Sequence, residues 1–322
     1  MSEQPIDPEK LSHKTVWERD TLERLAFATL AEQRASRRWR IFFRFAWLSL
    51  VGALLWTGMQ KGGVTGTNPS QPHTAVVAIK GEIADGADAS AEWVVTALRA
   101  AFEDEGSQAV VLQINSPGGS PVQAGIINDE IRRLKAKHKK PVYAVVEESC
   151  ASAAYYIAVA ADAIYVDKAS IVGSIGVLMD GFGFTGLMDK LGVERRLMTA
   201  GVNKGFLDPF SPQTKNQRTH AQTLLDQIHQ QFIQVVREGR GKRLKETPEL
   251  FSGLFWSGEQ AVDLGLADGL GNLDYVAREI VKAEDIIDYT RHENVAERLA
   301  KRFGAAIGEG AVRAMQTMPV LR

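Results

Sequence analysis

VYAVVEESCASAAYY, residues Val142–Tyr156, decides the fold. It opens on an apolar, β-branched run, Val142–Val146, which reads as a strand buried on both faces. It closes on a short alanine-rich helix, Ala153–Ala160, and Ser152 stands at the junction. Outward from this stretch the pattern repeats. Ala75–Ile79, Ala109–Ile114 and Ala163–Val166 read as further short strands, and Ala91–Phe102 and Val122–Ala136 carry helical periodicity. Strands separated by helices predict an α/β domain with a parallel sheet and right-handed crossovers. Pro212, after Ser211, predicts the start of a long amphipathic helix running to about Arg240. The basic run Arg237–Arg243 at its end reads as a solvated terminus that complements the helix dipole.

Chemistry concentrates at the strand ends. A hydroxyl at Ser152 sits at the positive end of a helix, where unpaired N–H groups stabilise developing negative charge. On local sequence alone the same serine also fits a plain helix N-cap. Asn115–Ser120 (NSPGGS) follows a second strand, and its paired glycines permit unusual φ and close backbone approach. Exposed N–H groups in such a loop can form an oxyanion hole, although a tight turn explains the residues equally well. A nucleophilic serine needs a proton acceptor. None of the six histidines falls between His138 and His220, the window that holds the candidate site. Lys204 does, in a glycine-rich loop followed by Phe206, Leu207 and Phe210. Burial there would favour the neutral amine, because desolvation penalises the ammonium; a solvated loop lysine is the plain alternative. Gly181–Gly186 matches G-x-G-x-x-G but lacks the second strand that a dinucleotide site requires. Cys150, two residues before Ser152, is a weaker rival nucleophile.

Composition bounds the rest. The chain has 322 residues, 45% hydrophobic and 24% charged, which excludes a disordered or fibrous protein. A net charge of −1 excludes a uniformly basic nucleic-acid binder, and one cysteine excludes an intrachain disulfide framework or a Cys-rich zinc site. Ile41–Met59 is 19 residues long and broken only by Arg44, enough to span a bilayer core. Arg34, Arg37, Arg38, Arg40 and Arg44 crowd its N-terminal flank, and Trp47 and Trp56 mark its ends. Positive-inside asymmetry predicts a cytoplasmic N-terminus with the following domain across the membrane. A cleavable signal peptide or a buried soluble helix fits these flanks less well. The predicted organisation is a cytoplasmic segment 1–40 with a helix around Val16–Arg34, a transmembrane helix 41–59, a linker 60–73, a catalytic domain 74–290 and an amphipathic tail 291–322.

The blocks NSPGGS (Asn115–Ser120), ASAAYY (Ala151–Tyr156), VGSIGV (Val172–Val177), Lys204 and DPF (Asp208–Phe210) occur in register over about Thr74–Tyr289. In this order the chain resembles the short, single-anchor form of bacterial signal peptide peptidases of the SppA type. The resemblance implies a Clp protease/crotonase-like spiral of ββα units and a serine–lysine dyad. It further implies ring-like homo-oligomers at the inner membrane, with the catalytic domain on the periplasmic side. Carried over, Ser152 is the nucleophile and Lys204 the general base, Gly119 and Ala153 supply oxyanion N–H groups, and Ser174 supports the lysine. The implied substrates are signal peptides and similar hydrophobic peptides after their release in the membrane, with no metal, cofactor or nucleic acid required. One departure stands out: the usual ASGGYY block here has Ala153 and Ala154 in place of two glycines. Alanine suits a helix, and its methyl leaves the N–H open if that residue is helical. A catalytically silent membrane scaffold of the same fold is the alternative function. A crotonase-like enzyme acting on acyl thioesters lacks any coenzyme A signal.

Overall fold

Three long parallel strands carry the domain, and each is built from residues that prefer a pleated, doubly buried environment. They are β1 (His73–Lys80), β2 (Ser107–Ser116) and β3 (Val142–Ala151). Val77, Ile79, Leu112, Ile114, Ala144 and Val146 on one face are at most 3% exposed and belong to the main core. The computed structural model describes residues 37–53 and 71–291. The chain divides into two units at Gly66/Thr67. Of the first unit, residues 37–53 are described and form a helix, α1. Among the described residues no helix is long and apolar enough to cross a membrane. The predicted span 41–59 lies only partly among them, and the predicted helix around Val16–Arg34 and the amphipathic tail beyond residue 291 lie outside them.

The second unit adds the strands β4 (Ala163–Val166), β5 (Ile171–Gly173), β6 (Phe255–Ser257), β7 (Gly269–Leu270) and β8 (Ile286–Asp288). Its sheet order is β6-β5-β3-β2-β1-β8. All pairings are parallel except β5 with β6. The predicted parallel α/β domain is therefore present, with an antiparallel edge that the sequence pattern did not suggest. α2 (Ala91–Glu103) and α3 (Pro121–His138) cross over between the first three strands, burying Val94, Leu98, Phe102, Ile127, Ile131 and Leu134.

One strand positions the site. β3 pairs with β4 through Tyr143–Val145 and with β5 through Ser149–Ala151, so its two halves serve different partners. Its pairing with β2 also slips between Ile114 and Ser116. Such an irregularity bends a strand locally, here at the ends from which the loops leave. The ends in question are the carboxyl ends of parallel strands, where open α/β sheets bind their ligands.

Two expectations need correction. The long helix, α6, runs Lys215–Arg240 and starts three residues after Pro212, because Thr214 and Gln217 form a capping box there. Nor is its basic end wholly solvated. Arg240 is 1% exposed and donates to the Asp268 carboxylate at 2.7 and 3.0 Å and to Gly265 O at 2.8 Å. Asp268 also accepts from Arg243 and from the backbone N–H of Ile164, tying the end of α6 to β4 and β7.

Candidate active site

β3 ends in a sharp turn into α4 (Ala153–Ala158), and Ser152 is the residue at the corner. Its φ is 53° and its ψ −122°, a conformation that costs a non-glycine residue about 1–3 kcal/mol and persists only where neighbours enforce it. They do: Ser152 N–H donates to Gly173 O at 2.8 Å, and Ser152 O accepts from Tyr156 N–H at 3.0 Å. The side chain makes no capping bond to the helix it precedes, so the plain N-cap reading fails. A half-buried hydroxyl raised on a strained strand-to-helix turn has the geometry of a nucleophile elbow. Cys150 does not compete with it. Burial pushes its thiol well up, which denies it the thiolate form.

The glycine loop lies directly against this elbow. Gly118 and Gly119 have φ of 109° and 147°. A Cβ on Gly118 would fall 2.7 Å from Ser152 Cβ and 3.1 Å from Ala153 N. A Cβ on Gly119 would fall 2.2 Å from Ile83 O. The loop is pinned on its far side: Ile83 N–H donates to Gly118 O at 2.9 Å, and Ser120 N–H donates to Ile83 O at 2.7 Å. Buried Ser116 accepts Gly118 N–H at 3.1 Å. Gly119 N–H is left over, with no hydrogen bond among the described residues. Ala153 N–H, in the first turn of α4, is likewise unpaired. Ala153 and Ala154 both lie within the helix and neither has a positive φ. Their methyls therefore do not disturb the turn that glycines would otherwise occupy.

Ser174 follows Gly173, the residue that holds the elbow, and is half-buried with φ 50°. Lys204 is exposed in a turn spanning 201–207, and among the described residues its side chain makes no hydrogen bond to Ser152. The burial expected for it is not found within one chain. Although the segment from 178 to 214 is rich in apolar residues, α5 (Thr185–Leu191) buries none of them. The segment is knitted locally instead, by Arg195 and Ser211 on the Asp208 carboxylate and by stacked Phe184 and Phe210. Gly181–Gly186 leads into α5 with no strand directly before it, which removes the context a dinucleotide loop needs.

Comparison with known proteins adds ancestry to this geometry. Residues 134–286 match the family model Peptidase family S49. Over 214 residues the chain is 34% identical to a protein of Methanocaldococcus jannaschii named as a protease, covering 65% of this chain and 68% of that protein. The chain belongs to peptidase family S49. Protease 4 of Haemophilus influenzae is 32% identical to this S49 chain over 221 residues, 66% of the chain and 35% of the relative. A Na(+)/H(+) antiporter NhaA of Brucella melitensis is 50% identical over 176 residues, 55% of the chain. Of that relative the S49 chain spans about a quarter, 24%. The Methanocaldococcus and Haemophilus relatives both carry protease names.

Ser152, Ser174 and Lys204 all fall inside the residues matched to the S49 family, whereas the NSPGGS loop precedes them. The residues missed from sequence are those that hold the loops in place. No local sequence signal marks Ser116 or Ile83 for this task. Leu254 O, which accepts Ser174 N–H at 2.8 Å, comes from a segment distant in sequence. Only the strand pairing of β5 with β6 brings it near, and no local motif announces such a contact.

Proposed function

We propose that this S49 chain is a membrane-anchored serine endopeptidase using Ser152 as nucleophile and Lys204 as general base. The neutral amine takes the hydroxyl proton as Oγ attacks a peptide carbonyl. The N–H groups of Gly119 and Ala153 hold the oxyanion, and the ammonium then protonates the leaving amine. Ser174 orients the lysine. The observation that carries this reading is the strained Ser152 corner, its hydroxyl uncommitted and two unpaired N–H donors on the loops that meet there.

The exposed position of Lys204 makes assembly part of the proposal. Leu178, Phe182, Met198 and Val202 are 77–98% exposed on the same segment, more apolar surface than a solvated loop needs. Packing of neighbouring copies in a ring-like homo-oligomer buries this segment, dries the crevice and brings Lys204 to a serine. The fold reading is a Clp protease/crotonase-like spiral, supported by a strand that serves two partners. Residues 41–59 anchor the chain in the inner membrane with the catalytic domain on the periplasmic side, supported by the arginine-rich flank. Signal peptides and similar hydrophobic peptides released in the membrane are the substrates.

Cleavage of hydrophobic peptides by the full chain in detergent tests this. Ser152→Ala and Lys204→Met should each lower kcat by about 10³-fold or more while circular dichroism stays unchanged. Full activity in either variant would refute the dyad.

A further inference from the structure

Ser152 and Ser174, at the ends of β3 and β5, both hold positive φ. They are coupled, because Ser152 N–H is anchored on the carbonyl of Gly173, the residue before Ser174. The second turn is as tight as the first. Gly173 has φ 111°, and Gly176 N–H closes back onto Ser174 O at 2.9 Å. Such a conformation needs outside support.

Most of that support comes from the stretch 253–256. Leu254 O accepts Ser174 N–H, and a Cβ on Gly176 would lie 2.9 Å from Gly253 Cα. The indole of Trp256 packs so close that a Cβ on Gly173 would lie 3.0 Å from its Cδ1. Further support comes from α6, where His229 Nε2 lies 3.1 Å from Ile175 O. A carbonyl only accepts, so Nε2 carries a proton in this contact. Among the described residues this is the one side-chain hydrogen bond to the backbone of residues 173–176.

We infer that His229 is a positioning residue for the nucleophile: its Nε2–H clamps the turn that carries Ser174, and that turn holds the Ser152 corner. The inference rests on the reading of Ser152 as nucleophile, and it gives α6 a task in the reaction. Without the clamp, Ser174 relaxes toward negative φ, the Gly173 carbonyl shifts, and the corner loses its anchor. Misplacement of a reacting group by about 1 Å can cost on the order of 10²-fold in rate.

The test compares the full chain with His229→Ala and His229→Gln, the latter keeping an N–H donor at similar reach. Peptide hydrolysis should show kcat about 10- to 100-fold lower in His229→Ala with KM within about twofold, and His229→Gln should recover most of the loss. Hydrogen exchange supplies a readout independent of activity. The amides of Ser152 and Ser174 should exchange faster in His229→Ala, also in a Ser152→Ala background, and slow again in His229→Gln. Unchanged exchange at both amides, or equal kcat losses in the two variants, would overturn the role. An inactive wild type whose two amides still respond would strike the nucleophile reading and leave the clamp standing.

Discussion

Gly118 and Ser152 pack so closely that a methyl group on the glycine would stand 2.7 Å from the serine Cβ and 2.8 Å from Ala151 O. The loop after β2 and the corner after β3 thus form one interlocked unit, with the two unpaired N–H groups on its rim.

That contact predicts the behaviour of Gly118→Ala. The methyl can be accommodated only by displacing the corner, and the glycine's φ of 109° disfavours alanine in any case. Steady-state hydrolysis should fall by about 10²–10³-fold, the loss typical of a disrupted oxyanion hole.

Ala153→Gly should do the opposite of what a glycine-rich site suggests. Ala153 is helical and 5% exposed, so glycine adds backbone freedom without opening the N–H. Thermal unfolding should show a loss of about 0.5–1 kcal/mol, with kcat changed by less than about threefold.

The Arg240–Asp268 pair should be a sensitive polar contact, because its guanidinium is 1% exposed. Removing Asp268 leaves a buried guanidinium uncompensated, so Asp268→Ala should destabilise by about 3–5 kcal/mol in denaturant unfolding. Burial acts to raise the Asp268 pKa, but hydrogen bonding and charge from Arg240, with Ile164 N–H and Arg243, hold it below the ordinary value.

Glu130 gives an acid limit to stability. Its hydrogen bond from Arg133, opposed by burial and reinforced by Arg99, brings the carboxyl from 4.5 down to about 2. A carboxyl depressed on folding stabilises the native state above its unfolded pKa and loses that contribution as pH falls through the folded one. Unfolding free energy should therefore drop between about pH 4.5 and pH 2, and Glu130→Gln should flatten that part of the curve.

Much of this was legible in the sequence, for definite reasons. Doubly buried parallel strands are short apolar runs, so Val142–Val146 and Ala163–Val166 announce themselves, and Ala91 and Ala153 open helices where periodicity places them. The polar second half of β3, Glu147–Ala151, did not. It is a strand because β5 pairs with it, and pairing is not a local property. The serine corner and glycine loop were legible as residue types at the ends of strands. Their strain, and the pinning by Ile83, Ser116 and Leu254, arise from contacts between distant segments. The apolar residues after Lys204 suggested burial, but sequence does not say which molecule supplies the cover. Arg240 looked like one charge in a solvated run because its partner, Asp268, lies 28 residues away.

Covalent trapping tests the central claim most directly. The full chain is treated with a fluorophosphonate probe and the modified residue is mapped by mass spectrometry. The account predicts adduct on Ser152, absent from Ser152→Ala and strongly slowed in Lys204→Met. An unreactive chain in an intact assembly, or an adduct on a different serine that survives Ser152→Ala, would contradict it.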